Sequence, residues 1–331
     1  MRLRRIMSLV ARSAGAILFL LWVFTRMADF KQTLQVISGA SIGVAAVALG
    51  CALAGELTTA YKWVLLVRVS GGMLPFYQAV RASFIGMFYN NFLPGNVGGD
   101  LARVLVIRPW AGSKAAAAAA TFMQRATGLG GLLLVAICAA SLWPFQIKQW
   151  RAWGPASWPI TWFLVTAIGY VFACLVLFNG KIYHLTWKAG MAEERENFPS
   201  IMHRIVHSLL VRVRRLHHEL HAHNPAAPGP LLISVITQLF DTLFVFLLAL
   251  SLGIQAPFYV FLSAVPLISL ASLLPITLNG IGLREAAYIS MLASAGVAPE
   301  AAAGLSLLQF AVILLFSATG AAFTLTTKQQ E

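Results

Sequence analysis

Three arginines and three carboxylates stand in or beside strongly apolar stretches of this 331-residue chain: Arg103, Arg125 and Arg284, with Asp100, Asp241 and Glu285. A guanidinium presents a planar fork of donors that suits a phosphate. Ionised side chains at membrane depth cost about 3 kcal/mol on insertion scales, and where they occur they mark ligand or ion pathways. Two of the arginines close short segments rich in Pro, Gly and Asn. The first reads FLPGNVGGDLAR, residues 92–103; the second reads LLPITLNGIGLRE, residues 273–285. Aligned at the proline, Pro94 matches Pro275, Gly99 matches Gly280 and Arg103 matches Arg284, at a constant offset of 181 residues. Each has an Asn in the turn (Asn96, Asn279) and a carboxylate near the final arginine (Asp100, Glu285), although these carboxylates do not align.

Each residue type in the motif has a physical use. Proline ends an incoming half-helix and glycine permits a tight reversal. Asparagine caps an outgoing half-helix, whose first amides then face an anion. The competing account makes both segments simple kinks. Arg103 is then a snorkelling arginine near a membrane face, and Arg284 forms a structural pair with Glu285. Two such motifs in one chain favour the functional account. Arg125 needs a carboxylate or phosphate partner, and Asp100 is a candidate for it or for Arg103. Asp241 lies mid-way along an apolar run. Glu56, close to Lys62, reads as a group near the end of its span. No intramembrane histidine and no paired-Asp metal motif is present, so catalysis is not expected, and without a Walker A loop direct ATP use is not expected.

The elements that must hold these groups are transmembrane helices. Apolar residues make up 59% of the chain and charged residues 11%, against about 45–50% and about 25% in globular proteins. Mean hydropathy is +0.78. A bilayer core about 30 Å thick takes about 20 apolar residues per helix. Six stretches qualify: 13–28, 37–60, 115–142, 159–178, 230–251 and 302–325. Two more apolar regions, 77–110 and 257–296, are interrupted by the motifs. A break in hydrocarbon leaves backbone groups unpaired, so such segments must be buried in protein or line a wet cavity. The expected fold is an all-α transmembrane bundle, one integral membrane domain of six full spans and two re-entrant hairpins related as an inverted repeat. Eight full spans is the alternative. The first half is 1–178 and the second 230–331, joined by a linker at 179–229.

Charge placement sets the orientation. The net charge is +13, and most of it sits between apolar stretches, where it is a topology signal and not a nucleic-acid footprint. With both broken regions re-entrant, 18 basic residues, Lys62 among them, fall on the cytoplasmic side and four (Arg26, Lys31, Lys148, Arg151) outside. Both termini are then cytoplasmic. The N-terminus is basic then apolar with no small-residue cleavage site before Met27, and reads as a retained first helix. The outer loop 143–158 carries four tryptophans, an interfacial belt. All seven histidines lie between His184 and His223. The apolar stripe Val206, Leu209, Val213, Leu216, Leu220 among them predicts an amphipathic surface helix, not a metal site. The run from Ala115 to Ala120 with Gly128, Gly130 and Gly131 predicts close helix packing. Cys51, Cys138 and Cys174 are small packing residues.

The stretches AYKWVLLVRVSGG, FYNNFLPGNVGGDLARV and FMQRATGL, with PLISLASLLPITLNGIGLREAAYISMLASAGV, resemble the lysylphosphatidylglycerol synthase transmembrane-region family of flippase-like membrane proteins. The likeness runs from about Ala60 to Gly320. It implies a helical bundle with re-entrant segments that moves lipids or lipid-linked headgroups between leaflets. Synthase members carry a soluble aminoacyl-transferase domain after the membrane region, which this chain lacks, so synthase activity is not implied. By resemblance, Asn91, Pro94, Gly98, Gly99, Asp100 and Arg103 occupy the first motif, Arg125 follows it, and Pro275, Gly280, Gly282, Arg284 and Glu285 occupy the second. The expected function is a flippase-like lipid transporter in a bacterial inner membrane. Its headgroup phosphate is held by Arg103, Arg125 and Arg284 between the two broken hairpins; Asp100, Asp241 and Glu285 balance charge or receive a cationic headgroup, and no cofactor or metal is expected. The expected partners are membrane lipids with an anionic or lipid-linked headgroup, and a lipid-synthesis enzyme is a further candidate. The alternatives are an integral membrane enzyme acting on a lipid and a non-transporting accessory subunit.

Overall fold

The computed structural model describes residues 21–69, 71–92, 97–141, 228–272 and 281–327, and all its regular structure there is helical. Residues 21–26 are helical. Then come α1 (Phe30–Ser38), α2 (Ile42–Val69), α3 (Phe76–Phe92), α4 (Val97–Ile107), a 3-10 turn (Arg108–Trp110) and α5 (Lys114–Ser141). The second part holds α6 (Pro228–Ser251), α7 (Phe258–Ser272), α8 (Leu283–Ala293) and α9 (Pro299–Thr327). Among the described residues four helices, α2, α5, α6 and α9, are long and apolar enough to cross a membrane. The chain is a polytopic helical membrane protein. By contrast α3, α4, α7 and α8 have 17, 11, 15 and 11 residues. At 1.5 Å per residue each falls short of a hydrocarbon core about 30 Å thick.

Three of the expected spans match within three residues: α5, α6 and α9. The expected 37–60 span does not. The chain breaks at residues 39–41 after α1, and α2 continues to Val69. The sequence pattern suggested an end near residue 60 because charges follow. Lys62, however, is only 3% exposed and faces the bundle interior, so the helix carries on past it. The Lys62 charge therefore does not belong among the surface charges that set topology. The 159–178 span, residues 179–227 of the His-rich linker 179–229, the tryptophan loop, Cys174 and residues 93–96 and 273–280 of the motifs lie outside the described residues.

The helices start and stop for local reasons. Pro228 and Pro230 fall in the first turn of α6, where an amide would be unpaired anyway. Gly253 ends it at φ +76°, with the Ile254 amide donating back to the Ala249 carbonyl, the reversal that glycine makes without steric cost. Asp29 caps α1, its carboxylate accepting from the Gln32 amide at 3.0 Å.

Packing is tightest between α2 and α6, and α3 lies along α9. Two apolar cores result. One joins α6, α7, α8 and α9 through Leu248, Phe261, Tyr288, Leu292 and Leu305, with Phe84 of α3 edge-on to Phe316 at 5.6 Å. The other joins the end of α2 to α3, α4 and α5 through Trp63, Val67, Leu74, Ile107 and Ala117. Small residues allow these approaches. A Cβ on Gly131 of α5 would sit 2.6 Å from the Ser234 Cβ of α6, and one on Gly320 of α9 would strike the Phe84 carbonyl of α3.

Candidate functional site

The α3–α4 hairpin carries the first motif. Asn90, at the end of α3, accepts a hydrogen bond from the Gly99 amide at 2.9 Å through its side-chain oxygen. That amide is one of the unpaired donors of the α4 first turn. A Cβ on Gly99 would strike Asn90 and the Gly86 carbonyl, so glycine is what lets α4 start this close to α3. Gly98 lies in the same first turn, and Asn91 lies beside Asn90. The Arg103 side chain passes directly over Gly86, where a Cβ would collide with Nε.

Asp100, in the first turn of α4, gathers both arginines. Arg103 donates from Nη1 to Oδ1 at 3.0 Å. Arg125 approaches from α5, donating from Nη2 to Oδ1 at 2.8 Å and from Nε to Oδ2 at 3.1 Å. Two guanidiniums share one carboxylate, which leaves one positive charge in excess. The cluster is also open: the Arg125 side chain is 40% exposed, Asp100 26% and Arg103 13%. Arg103 Nε is buried without a hydrogen-bond partner among the described residues. Together these give a cationic mouth beside a helix N-terminus, a setting that favours an anion.

The second motif is built from similar parts but is closed. Gly282 adopts φ +85° at the start of α8, and its amide donates to Glu285 Oε2. Glu285 Oε1 accepts from the Ser306 hydroxyl of α9 at 2.8 Å and from Arg284 Nη2 at 3.4 Å. Arg284 Nε donates to Ser306 at 3.0 Å, and its guanidinium lies over the Phe310 ring, 5.2 Å from the centroid. Side-chain exposure is 6% for Arg284 and 2% for Glu285. Among the described residues no ion pair or hydrogen bond joins this cluster to Asp100, Arg103 or Arg125. Asn96, Asn279 and Gly280 lie outside them.

A third set of charges lies between α2 and α6. Lys62 donates to the Ser234 hydroxyl at 2.8 Å, and Ser234 donates to the Pro230 carbonyl. Asp241 faces Gly55, whose Cβ would be 3.3 Å from Oδ1. Asp241 is within electrostatic reach of Lys62, Glu56 and Tyr288. Glu56 is in turn within reach of Arg103, and Lys62 of Arg125. Glu56 and Lys62 thus belong to the interior charge system and not to a span end.

Sequence reasoning missed Gly86, Asn90, Ser234, Ser306 and Phe310. The Asn90-Asn91 doublet was the one local signal; the others become partners only through helix packing. No curated protein matches the chain. The family model for the lysylphosphatidylglycerol synthase TM region matches residues 8–320, nearly the whole chain, and the protein belongs to that family.

Proposed function

We propose that the protein is a lipid translocase whose headgroup phosphate is taken by Arg125 and Arg103 at the mouth of the α3–α4 hairpin. The observation that carries this reading is the 2:1 ratio of guanidinium to carboxylate at Asp100, open at Arg125. A phosphate there completes the second charge pair and meets unused donor capacity. In this reading the two hairpins are re-entrant and come from opposite faces, as in transporters built on broken helices. The closed Gly282–Arg284–Glu285 cluster then serves as the rigid wall of the path. The partners are phospholipids or lipid-linked phosphates of a bacterial inner membrane, and the termini face the cytoplasm.

Reconstitution in liposomes with fluorescent phosphatidylglycerol, phosphatidylethanolamine and phosphatidic acid tests the proposal. Wild type should equilibrate at least one of these lipids between leaflets faster than protein-free vesicles. Chemical turnover of a lipid without transfer would replace the reading with a membrane enzyme. Neither activity would leave an accessory subunit.

A further inference from the structure

Glu56 and Asp241 are two mid-helix carboxylates that the anion site does not use. Each lies about midway along its helix, α2 or α6, and those two helices share the most extensive packing among the described elements. Asp100 and Glu285 are tied by hydrogen bonds and ion pairs. Neither Glu56 nor Asp241 has a hydrogen bond or an ion pair within 4 Å among the described residues. The nearby ammonium of Lys62, in a residue 3% exposed, is aimed at the Ser234 hydroxyl. An unpaired carboxylate at this depth is relieved by taking up a proton, and such groups form proton relays in membrane carriers.

We infer that the Glu56–Asp241 pair binds one proton that travels with the lipid, so that an anionic headgroup and a proton cross together. The inference rests on the translocase reading above. Its physical basis is the shared neighbour: Glu56 lies in the field of Arg103, which also faces the phosphate position. A phosphate bound at Arg103 and Arg125 adds negative charge beside Glu56 and favours the protonated pair. By linkage, the proton favours phosphate binding by the same factor. The loaded site then carries no added net charge through a low-dielectric path, where an uncompensated charge is most costly. One proton is taken up with the lipid at the first face and released with it at the second.

The groups around the pair fit this role. From α2 itself come Lys62 and, at its exposed end, Arg68; from α4 comes Arg103, and from α5 Arg125, which is within electrostatic reach of Lys62. Tyr288 of α8 is within electrostatic reach of Asp241 and donates to Gln309 at 3.0 Å. On the remaining packed helices, α3 carries Arg81, which donates to the Phe323 carbonyl of α9, α7 carries Tyr259 and α9 carries Glu300 in its first turn.

The test uses the same three fluorescent lipids in vesicles that also hold a trapped pH dye. Transfer and internal pH are followed with and without an imposed pH difference. In wild type, the gradient should accelerate transfer toward the more alkaline side, and protons should enter with the lipid. Glu56→Gln should keep gradient-free exchange and lose both the acceleration and the proton flux. Asp241→Asn should also lose the gradient dependence, and melting curves on both preparations check folding. Exchange in wild type that ignores the gradient overturns the inference and leaves the translocase reading intact. Gradient dependence that survives in both variants overturns the assigned pair. Absence of exchange for every lipid under every condition removes the reading and the inference together.

Discussion

At the residue scale, the two arginine–carboxylate clusters differ less in composition than in what surrounds them. Asp100 holds two arginines at a surface where Arg125 is 40% exposed, whereas Glu285 is held by Arg284, Ser306 and the Gly282 amide with almost no exposure. The first suits exchange of partners and the second suits permanence. Arg125→Lys keeps the charge but loses the two-point grip, worth about 1.5–3 kcal/mol for charged hydrogen bonds. Lipid transfer should therefore slow by at least roughly tenfold, with the melting temperature close to wild type. Loss of stability with transfer unchanged per folded molecule would make Arg125 a structural group. Arg284→Ala should do the reverse, leaving Glu285 buried and short of its cation at a cost of about 3–5 kcal/mol. Thermal unfolding of the purified variant reads this, and an unshifted transition would refute the permanent role. Asp100 was legible in sequence as a partner for the arginines because it shares their motif. Ser306 and Phe310 were not, since they meet Arg284 only when α9 packs on α8.

At the element scale, the hairpins depend on glycines that let side chains or backbones occupy their Cβ positions. Gly86 is the clearest, because the Arg103 side chain runs across it. Gly86→Ala must push Arg103 away from Asp100, and overpacking of this kind costs about 1–3 kcal/mol. The expected result is impaired transfer that a second-site Arg103→Ala change does not worsen further, since both act through one side chain. Additive losses would detach Gly86 from Arg103. The long spans were legible because uninterrupted apolar runs leave little choice of element. The end of α2 was not, because Lys62 looks like a boundary charge until its burial against Ser234 is seen. The equal proline-to-arginine spacing also concealed a difference. Arg103 is the seventh residue of α4, and Arg284 is the second of α8, so the two arginines project from different turns.

At the scale of the whole molecule, orientation follows from which end of the bundle gathers basic side chains. The Met73 amide donates to the Trp110 carbonyl at 3.0 Å, which fixes the end of α2 beside the start of α5. Exposed Arg68, Arg108 and Lys114 cluster by sequence at that end. The opposite end is fixed by the Ser41 amide donating to the Ser251 carbonyl at 2.8 Å, and there the exposed basic residues are Arg26 and Lys31. Removing buried Lys62 from the cytoplasmic tally leaves 17 basic residues against four. The asymmetry therefore survives the correction, and basic residues favour the cytoplasmic side. In the proposed topology α5 starts at the cytoplasmic Lys114 end, which puts Ser157 outside and Ser208 inside. Single reporters, Ser157→Cys and Ser208→Cys, in a chain with Cys51, Cys138 and Cys174 replaced by alanine, test this in intact cells. A membrane-impermeant maleimide should label the first and spare the second until the membrane is opened. Labelling of Ser208→Cys alone would reject this topology in favour of an inverted molecule or a full crossing by the 77–110 region. Labelling of both would place them on one side with an even number of crossings between them, so the expected single span at 159–178 would be wrong.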